Sequence, residues 1–223
     1  MVLTPALFTK LYGNYPVVII ANGDFPMAEP AQTLLQHAEV IVCCDGAYDT
    51  FRQHPLNSQA AIVVTGDGDS LSSSLDNTKT TFIPDKSVEY NDLQKALKYC
   101  QQQDFRRVLL TGCEGKREDH FIANLSIMAT YSESMDLTML TAHGMFNVIR
   151  KSATLPSFQG QQVSVFSTDH QLPLSFEGLK YPVKERCFQH LWEGSLNEAT
   201  GEEFTIVLHG EGLVIVYQAL AVR

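Results

Sequence analysis

The chain has little that would tie it to a polyanion or a bilayer. Its 223 residues contain no Lys/Arg-rich run, and 16 bases against 25 acids leave a net charge of −9, with a pI near 5.2. Non-specific binding to DNA or RNA depends on neutralising phosphates and is disfavoured by that balance, as is an anionic membrane surface. Long apolar runs are missing too. No purely aliphatic run exceeds five residues, as at 17–21, against roughly 20 residues for a spanning helix. No basic start followed by an apolar core opens the chain, so no secretory leader is expected. The five cysteines, Cys43, Cys44, Cys100, Cys113 and Cys187, form no Cys-x-x-Cys pair, and no zinc-ligand spacing is visible. They read as small buried hydrophobes in a reducing cytoplasm. Gly-x-Gly-x-x-Gly after a strand, a P-loop and Gly-x-Ser-x-Gly are also absent, which argues against a dinucleotide cofactor, a Walker-type site and a serine hydrolase.

What is present describes a globular protein of one large domain or two small ones. Apolar residues make up 44% and charged residues 18%, outside the disordered and fibrous ranges. Short aliphatic runs at 17–22, 40–44, 61–65, 81–83, 107–111 and 137–140 read as strands buried on both faces of a mainly parallel sheet. Between them, 91–103 places Leu93, Ala96, Leu97 and Cys100 on one helical face, and 120–131 does so with Phe121, Leu125 and Met128. Such alternation implies a three-layer α/β domain with right-handed crossovers. Beyond about residue 150 the helical stripes stop. Runs at 162–166, 172–176, 204–208 and 213–217 suggest an antiparallel sandwich or barrel. Two domains are therefore expected, 1–150 and 151–223.

The acids carry the functional information. Asp45 follows one strand, Asp67 and Asp69 follow the next within Thr65-Gly-Asp-Gly-Asp-Ser70, and Asp92 and Asp119 open the two helices. The steps Asp45 to Asp67, Asp67 to Asp92 and Asp92 to Asp119 are 22, 25 and 27 residues, each about one strand–helix unit. That period delivers them all to the carboxyl edge of a parallel sheet, where α/β folds bind ligands. Converging carboxylates repel unless a hard cation sits among them, and magnesium shared with a polyphosphate is the common solution. Lys95 lies on the first-turn face of the Asp92 helix. Gly112, Gly115, Lys116 and Arg117 lead into another helix N-terminus, a plausible phosphate cradle.

These residues resemble the thiamine pyrophosphokinase family. The family's Asp-Gly-Ala is similar to Asp45-Gly46-Ala47, and its Gly-Asp-x-Asp-Ser stands intact at Gly66-Asp-Gly-Asp-Ser70. Its Thr-Asp-x-x-Lys-Ala resembles Asn91-Asp-Leu-Gln-Lys-Ala96. Its Gly-x-x-Gly-Gly-Arg-x-Asp-His looks like Gly112-Cys-Glu-Gly-Lys-Arg-Glu-Asp-His120, followed by Asn124. Further on, Gly178-Leu-Lys-Tyr-Pro182 and Gly194-Ser-Leu-Asn-Glu198 resemble its Gly-Leu-Lys-aromatic and Gly-x-Ser-Asn-Glu elements. The resemblance implies transfer of a pyrophosphoryl group from ATP to the hydroxyl of thiamine. It also implies an α/β domain, a C-terminal β-sandwich and a homodimer with active sites between subunits.

Carried over by position, Asp67, Asp69 and Asp92 hold magnesium, and Lys95 and Arg117 grip phosphates. Asp45, Gly46, Ser70, Gly112, Gly115, Lys116, Asp119, His120 and Asn124 line the nucleotide and the reacting centre. Tyr181 stacks on a ring of thiamine with Asn197 nearby. Asp69 or Asp119 is expected to accept the alcohol proton. Three departures stand out. Lys116 replaces the second glycine, either adding a phosphate cation or changing the turn. Asn91 replaces threonine at a cap. Leu196 replaces serine, so a hydrogen bond to thiamine is either missing or supplied by Ser195. Two alternatives remain open: another alcohol acceptor such as a pterin, or a non-catalytic nucleotide-binding protein of the same fold. Trp192, the single tryptophan, reads as core or dimer interface.

Overall fold

In a computed structural model, described for residues 3–54, 56, 59–69 and 79–222, the chain divides into two compact units. One is Asn14–Ala142; the other combines Met1–Gly13 with His143–Arg223. Ser70 lies outside the described residues.

The Asn14–Ala142 unit holds six parallel strands: β1 (Val17–Ile20), β2 (Val40–Cys44), β3 (Ala61–Gly66), β4 (Thr80–Pro84), β5 (Arg107–Thr111) and β6 (Asp136–Leu140). Their spatial order is β6-β5-β1-β2-β3-β4. Every residue of β1 is buried, as a β-branched strand covered on both faces requires. Edge strand β4 is only half-buried. The connecting helices include α3 (Ala47–Gln53), α4 (Asp92–Gln102) and α5 (Glu118–Tyr131). Helix α4 begins at a reciprocal cap. The Asn91 carboxamide accepts from the Gln94 N–H at 2.9 Å, and the Gln94 side chain accepts from the Asn91 N–H at 3.3 Å. It buries Leu93, Lys95, Ala96, Leu97 and Cys100. On α5 the buried residues are Asn124 and Met128 rather than the expected Phe121, Leu125 and Met128 stripe; Phe121 and Leu125 are half-buried.

The second unit contains two antiparallel sheets, and the sandwich form is the one adopted. Strands β7 (Gly144–Ile149), β9 (Gln162–Phe166), β12 (Asn197–Glu198) and β14 (Val214–Ala219) lie in the order β12-β9-β14-β7. Strands β8 (Ala153–Pro156), β10 (Pro173–Glu177), β11 (Val183–Cys187) and β13 (Glu203–Leu208) lie as β11-β10-β13-β8. Alternate residues face inward, and Val163, Val165, Val214 and Val216 of one sheet meet Leu174, Phe176, Phe204 and Ile206 of the other.

The division therefore falls at 142/143 instead of 150. Strand β7 belongs with the second unit because it pairs with β14 over six residues. Helix α1 (Pro5–Tyr12) joins that unit as well. Its Tyr12 hydroxyl donates to the Pro156 carbonyl at 3.4 Å and accepts from the Gln218 carboxamide at 3.1 Å. Among the described residues no helix is long and apolar enough to cross a membrane.

Candidate active site

Three carboxylates meet at the carboxyl ends of β2 and β3. Asp45 sits just past β2 with a left-handed φ of 36°, a conformation aspartate tolerates better than most residues. Its N–H donates to the Thr65 carbonyl at 2.8 Å, extending the pairing one residue beyond the strand. Its side chain then lies against Gly66, where an added Cβ would stand 2.7 Å from the Asp45 Cβ. Only glycine leaves that space open. Past Gly66 the chain turns, and the Asp69 N–H donates to the Asp67 carboxylate at 3.1 Å. That hydrogen bond holds the Asp67 carboxyl below its usual range. Oxygen atoms of Asp45, Asp67 and Asp69 all come within 4.8 Å of one another. Asp45 is buried and the other two are exposed. Three hard oxygen donors converging on one spot suit magnesium better than a soft metal.

The carboxylate of Asp92, the third expected ligand, accepts from the Lys95 ammonium at 3.0 Å. The Lys95 side chain is 5% exposed because it leaves the buried face of α4. Burial pulls its pKa down, yet the Asp92 carboxylate, with Asp67 and Asp85 farther off, outweighs burial and holds it above the ordinary lysine value. Asp85 was not anticipated. It follows β4 directly, and its N–H donates to the Gly66 carbonyl at 2.8 Å. The run at 81–83 reads as a strand, and an acid just past that fourth strand was the available signal.

A cleft of about 440 Å³ opens beside this group, lined among others by Asn22, Asn91, Asp92, Gly112, Lys116, Arg117, His120 and Asn124. Two loops are zipped along its floor. The Ala21, Gly23 and Asp24 N–H groups donate to the Thr111, Gly112 and Glu114 carbonyls at 2.8, 2.7 and 2.7 Å. Gly115 has φ 94°, and the Asp24 carboxyl fills the place its Cβ would need, 2.1 Å away. The Glu114 carboxylate accepts from the Ala142 N–H, and the Asn124 carboxamide donates to the Cys113 carbonyl at 3.2 Å. The loop is thus tied on three sides, and neither Glu114 nor Asn22 was singled out from sequence.

Cations face this cleft. The Lys116 ammonium reaches the Asn22 side-chain oxygen at 3.1 Å. Arg117 grips Asp119 with two hydrogen bonds, 3.0 and 2.5 Å, and the pairing holds the Asp119 carboxyl below its usual range. A carboxylate so held is a weaker base. Gly46 caps the N-terminus of α3, next to Asp45.

In the second unit, the two motifs 178–181 and 194–198 form one structure. Leu179 and Ala199 form an antiparallel bridge. The Lys180 N–H donates to the Glu198 carbonyl at 2.9 Å, and the Thr200 N–H donates to the Gly178 carbonyl at 3.0 Å. Leu179 is buried in the sandwich core, whereas Tyr181 is 60% exposed. Asn197 is buried, and its carboxamide bonds both main-chain groups of Tyr181, at 3.0 and 2.8 Å. The Ser195 hydroxyl donates to the Trp192 carbonyl at 2.7 Å. Leu196 is 71% exposed with φ 59°. Leu191 and Trp192 are exposed as well, so Trp192 is not a core residue.

The family model described as "Thiamin pyrophosphokinase, catalytic domain" matches residues 31–139, and "Thiamin pyrophosphokinase, substrate-binding domain" matches 144–217. The chain belongs to the thiamin pyrophosphokinase family. The gap between the two matches coincides with the 142/143 division of the structure. The chain is 27% identical to Thiamin pyrophosphokinase 1 of Caenorhabditis elegans over 127 residues, 53% of this chain and 51% of the relative. It thus matches about half the length of that curated relative. Its fold is similar to thiamin pyrophosphokinase from Candida albicans, with a TM-score of 0.78 at 16% identity, covering 98% and 92% of the two chains. Yeast thiamin pyrophosphokinase gives 0.73 at 14% identity, covering 92% and 86%. A thiamin pyrophosphokinase family protein from Enterococcus faecalis gives 0.73 at 19%, covering 91% and 98%.

Proposed function

We propose that the protein transfers the pyrophosphoryl group of ATP to the hydroxyl of thiamine, giving thiamine diphosphate, AMP and a proton. The observation that carries this reading is the Asp45–Asp67–Asp69 group beside the Asp92–Lys95 pair, on the edge of a cleft lined by Lys116 and Arg117. The oxygen of the alcohol bonds to the β-phosphorus while the bond from that phosphorus to the bridging α–β oxygen breaks, and AMP departs with the electron pair. Such transfer depends on orientation and on balancing phosphate charge, both of which these side chains supply.

Asp45, Asp67 and Asp69 hold magnesium in this reading, with Asp92 close by. Magnesium, when bound, neutralises phosphate oxygens and raises the electrophilicity of the β-phosphorus. Lys95 and Lys116 meet phosphate charge, and Arg117 shares its guanidinium between Asp119 and a phosphate. The alcohol proton passes to Asp69 or Asp119, the latter a weaker base for as long as Arg117 holds it. Gly112, Gly115, His120 and Asn124 shape the nucleotide cleft, and Tyr181 offers its exposed face to a thiamine ring. Exposed Leu191, Trp192 and Leu196 support the homodimer, and the cysteine usage supports a cytoplasmic setting.

The test is product analysis of purified protein with ATP, magnesium and thiamine. Equal AMP and thiamine diphosphate are expected; ADP with thiamine monophosphate refutes the pyrophosphoryl step. Leu196, apolar and exposed where the family pattern has serine, favours one second reading, a different alcohol such as a pterin. AMP release with that acceptor and none with thiamine would establish it.

A further inference from the structure

We propose that Asn197 is a positioning residue, whose carboxamide fixes the main chain of Tyr181 and thereby aims an exposed aromatic face at the heterocycle of the acceptor. The proposal rests on the thiamine reading above. Tyr181 needs such an anchor, because a residue 60% exposed has little packing to hold its own direction. Asn197 supplies it from a site only 5% exposed.

The bonding capacity of the amide decides its role. Its oxygen accepts from the Tyr181 N–H at 3.0 Å and from the Glu198 N–H at 2.9 Å, which uses both lone pairs. Its nitrogen donates to the Tyr181 carbonyl at 2.8 Å. The side chain thus stands in for a neighbouring strand, pairing one residue as a β-ladder would. Little of the amide is left to address a ligand. The same segment is held above Asn197 by the Leu179–Ala199 bridge and by the Thr200 hydroxyl donating to the Gly178 carbonyl at 3.0 Å. Tyr181 is the exposed end of that clamped run, and Asn197 clamps it.

The experiment is a double-mutant cycle on the full-length enzyme, with KM for thiamine, KM for ATP and Tm measured for each protein. Asn197→Ala is expected to raise KM for thiamine by about tenfold, as loss of two hydrogen bonds at one residue implies, and to leave KM for ATP within about twofold. In the Tyr181→Ala background the same change is expected to add nothing to KM for thiamine. Asn197→Asp keeps the acceptor for both N–H groups but sets an oxygen against the Tyr181 carbonyl in place of the donor, so it is expected to raise KM for thiamine as Asn197→Ala does, with KM for ATP again within about twofold. Effects that multiply in the double mutant would mean that Asn197 touches the ligand itself and would overturn the proposal. A rise in both KM values accompanied by a fall in Tm, in the Ala and Asp variants alike, would overturn it in favour of a folding role. A wild-type enzyme active on thiamine whose KM ignores Tyr181→Ala removes the platform, and the proposal with it. A wild type inactive on thiamine overturns the thiamine reading itself.

Discussion

Lys95→Met separates what the buried lysine does for folding from what it does for catalysis. The side chain is 5% exposed and its ammonium lies 3.0 Å from Asp92, whose own side chain is 39% exposed. Breaking a fully buried pair from one side costs about 3–5 kcal/mol, because the remaining charge is stranded. Here the remaining charge is on the wetter partner, and methionine refills the space of the aliphatic stem while removing the desolvated ammonium. The loss of stability is therefore expected to be about 1 kcal/mol or less. Loss of a preorganised cation facing transition-state charge costs roughly 10²–10³ in kcat. Urea melts run beside AMP-release kinetics read both quantities on one preparation. The pH profile adds a check. The pKa is raised above 10.5 by Asp92, Asp67 and Asp85 against the opposing effect of burial, so the ammonium persists below 10.5 and is lost only as pH rises through the elevated value. Lys95 should impose no alkaline limb below about pH 10. A variant within about tenfold of wild-type kcat/KM, at unchanged stability, would refute the catalytic assignment. A stability loss large enough to account for the missing activity would make the pair structural.

Asp69→Asn is expected to abolish turnover and the magnesium-induced rise in Tm, while the metal-free Tm stays level or increases because one of three mutually repelling carboxylates has lost its charge; a retained magnesium shift in thermal melts contradicts this. Gly66→Ala forces a Cβ to 2.7 Å from the Asp45 Cβ and should cost about 1–3 kcal/mol, so a denaturant midpoint equal to wild type would show that the turn relaxes freely. Glu193 accepts from the His190 and Gln189 N–H groups and from Arg186, which lowers its pKa from 4.5. Its stabilisation is present above about pH 4.5 and is lost as pH falls through the depressed value. Tm of Glu193→Gln should therefore trail wild type at neutral pH and converge with it in strong acid, and a constant gap across that range would disprove the linkage.

Both-face burial made the parallel strands legible. Val40–Cys44 and Arg107–Thr111 are found at their expected ends, because an unbroken β-branched or aliphatic run has few other places to go. Helices α1 and α3, with 8 and 7 residues, are too short to show a repeating stripe. The attachment of α1 to the second unit rests on Tyr12 meeting Gln161 and Gln218, 149 and 206 residues away, and no periodicity encodes such partners. The acids were legible as a set, since one strand–helix unit per acid fixes the sheet edge. Their grouping was not. Strand adjacency sets Asp45 beside Asp67 and Asp69, while Asp92 pairs with Lys95 three residues away.

The second unit shows why a motif is legible as a string before its mechanism is. Gly178-Leu-Lys-Tyr-Pro182 and Gly194-Ser-Leu-Asn-Glu198 read as separate elements in the chain, each with an apparent ligand residue. Folded, they are the two sides of a single antiparallel contact, and their polar groups are spent largely on one another. The family resemblance made Asn197 a candidate ligand, and nothing in the string argued otherwise, because an exposed amide and a buried amide look alike in sequence. Burial and bond capacity distinguish them: an asparagine whose oxygen already serves two N–H groups shapes a neighbour. The same distinction holds in the first unit. Asn124, also buried, is tied to the Cys113 carbonyl, while exposed Lys116 and Arg117 on the same loop face the cleft. In both units the buried polar residue sets the loop and, in the function proposed above, the exposed neighbour meets substrate, so substitutions at the two should divide between geometry and affinity.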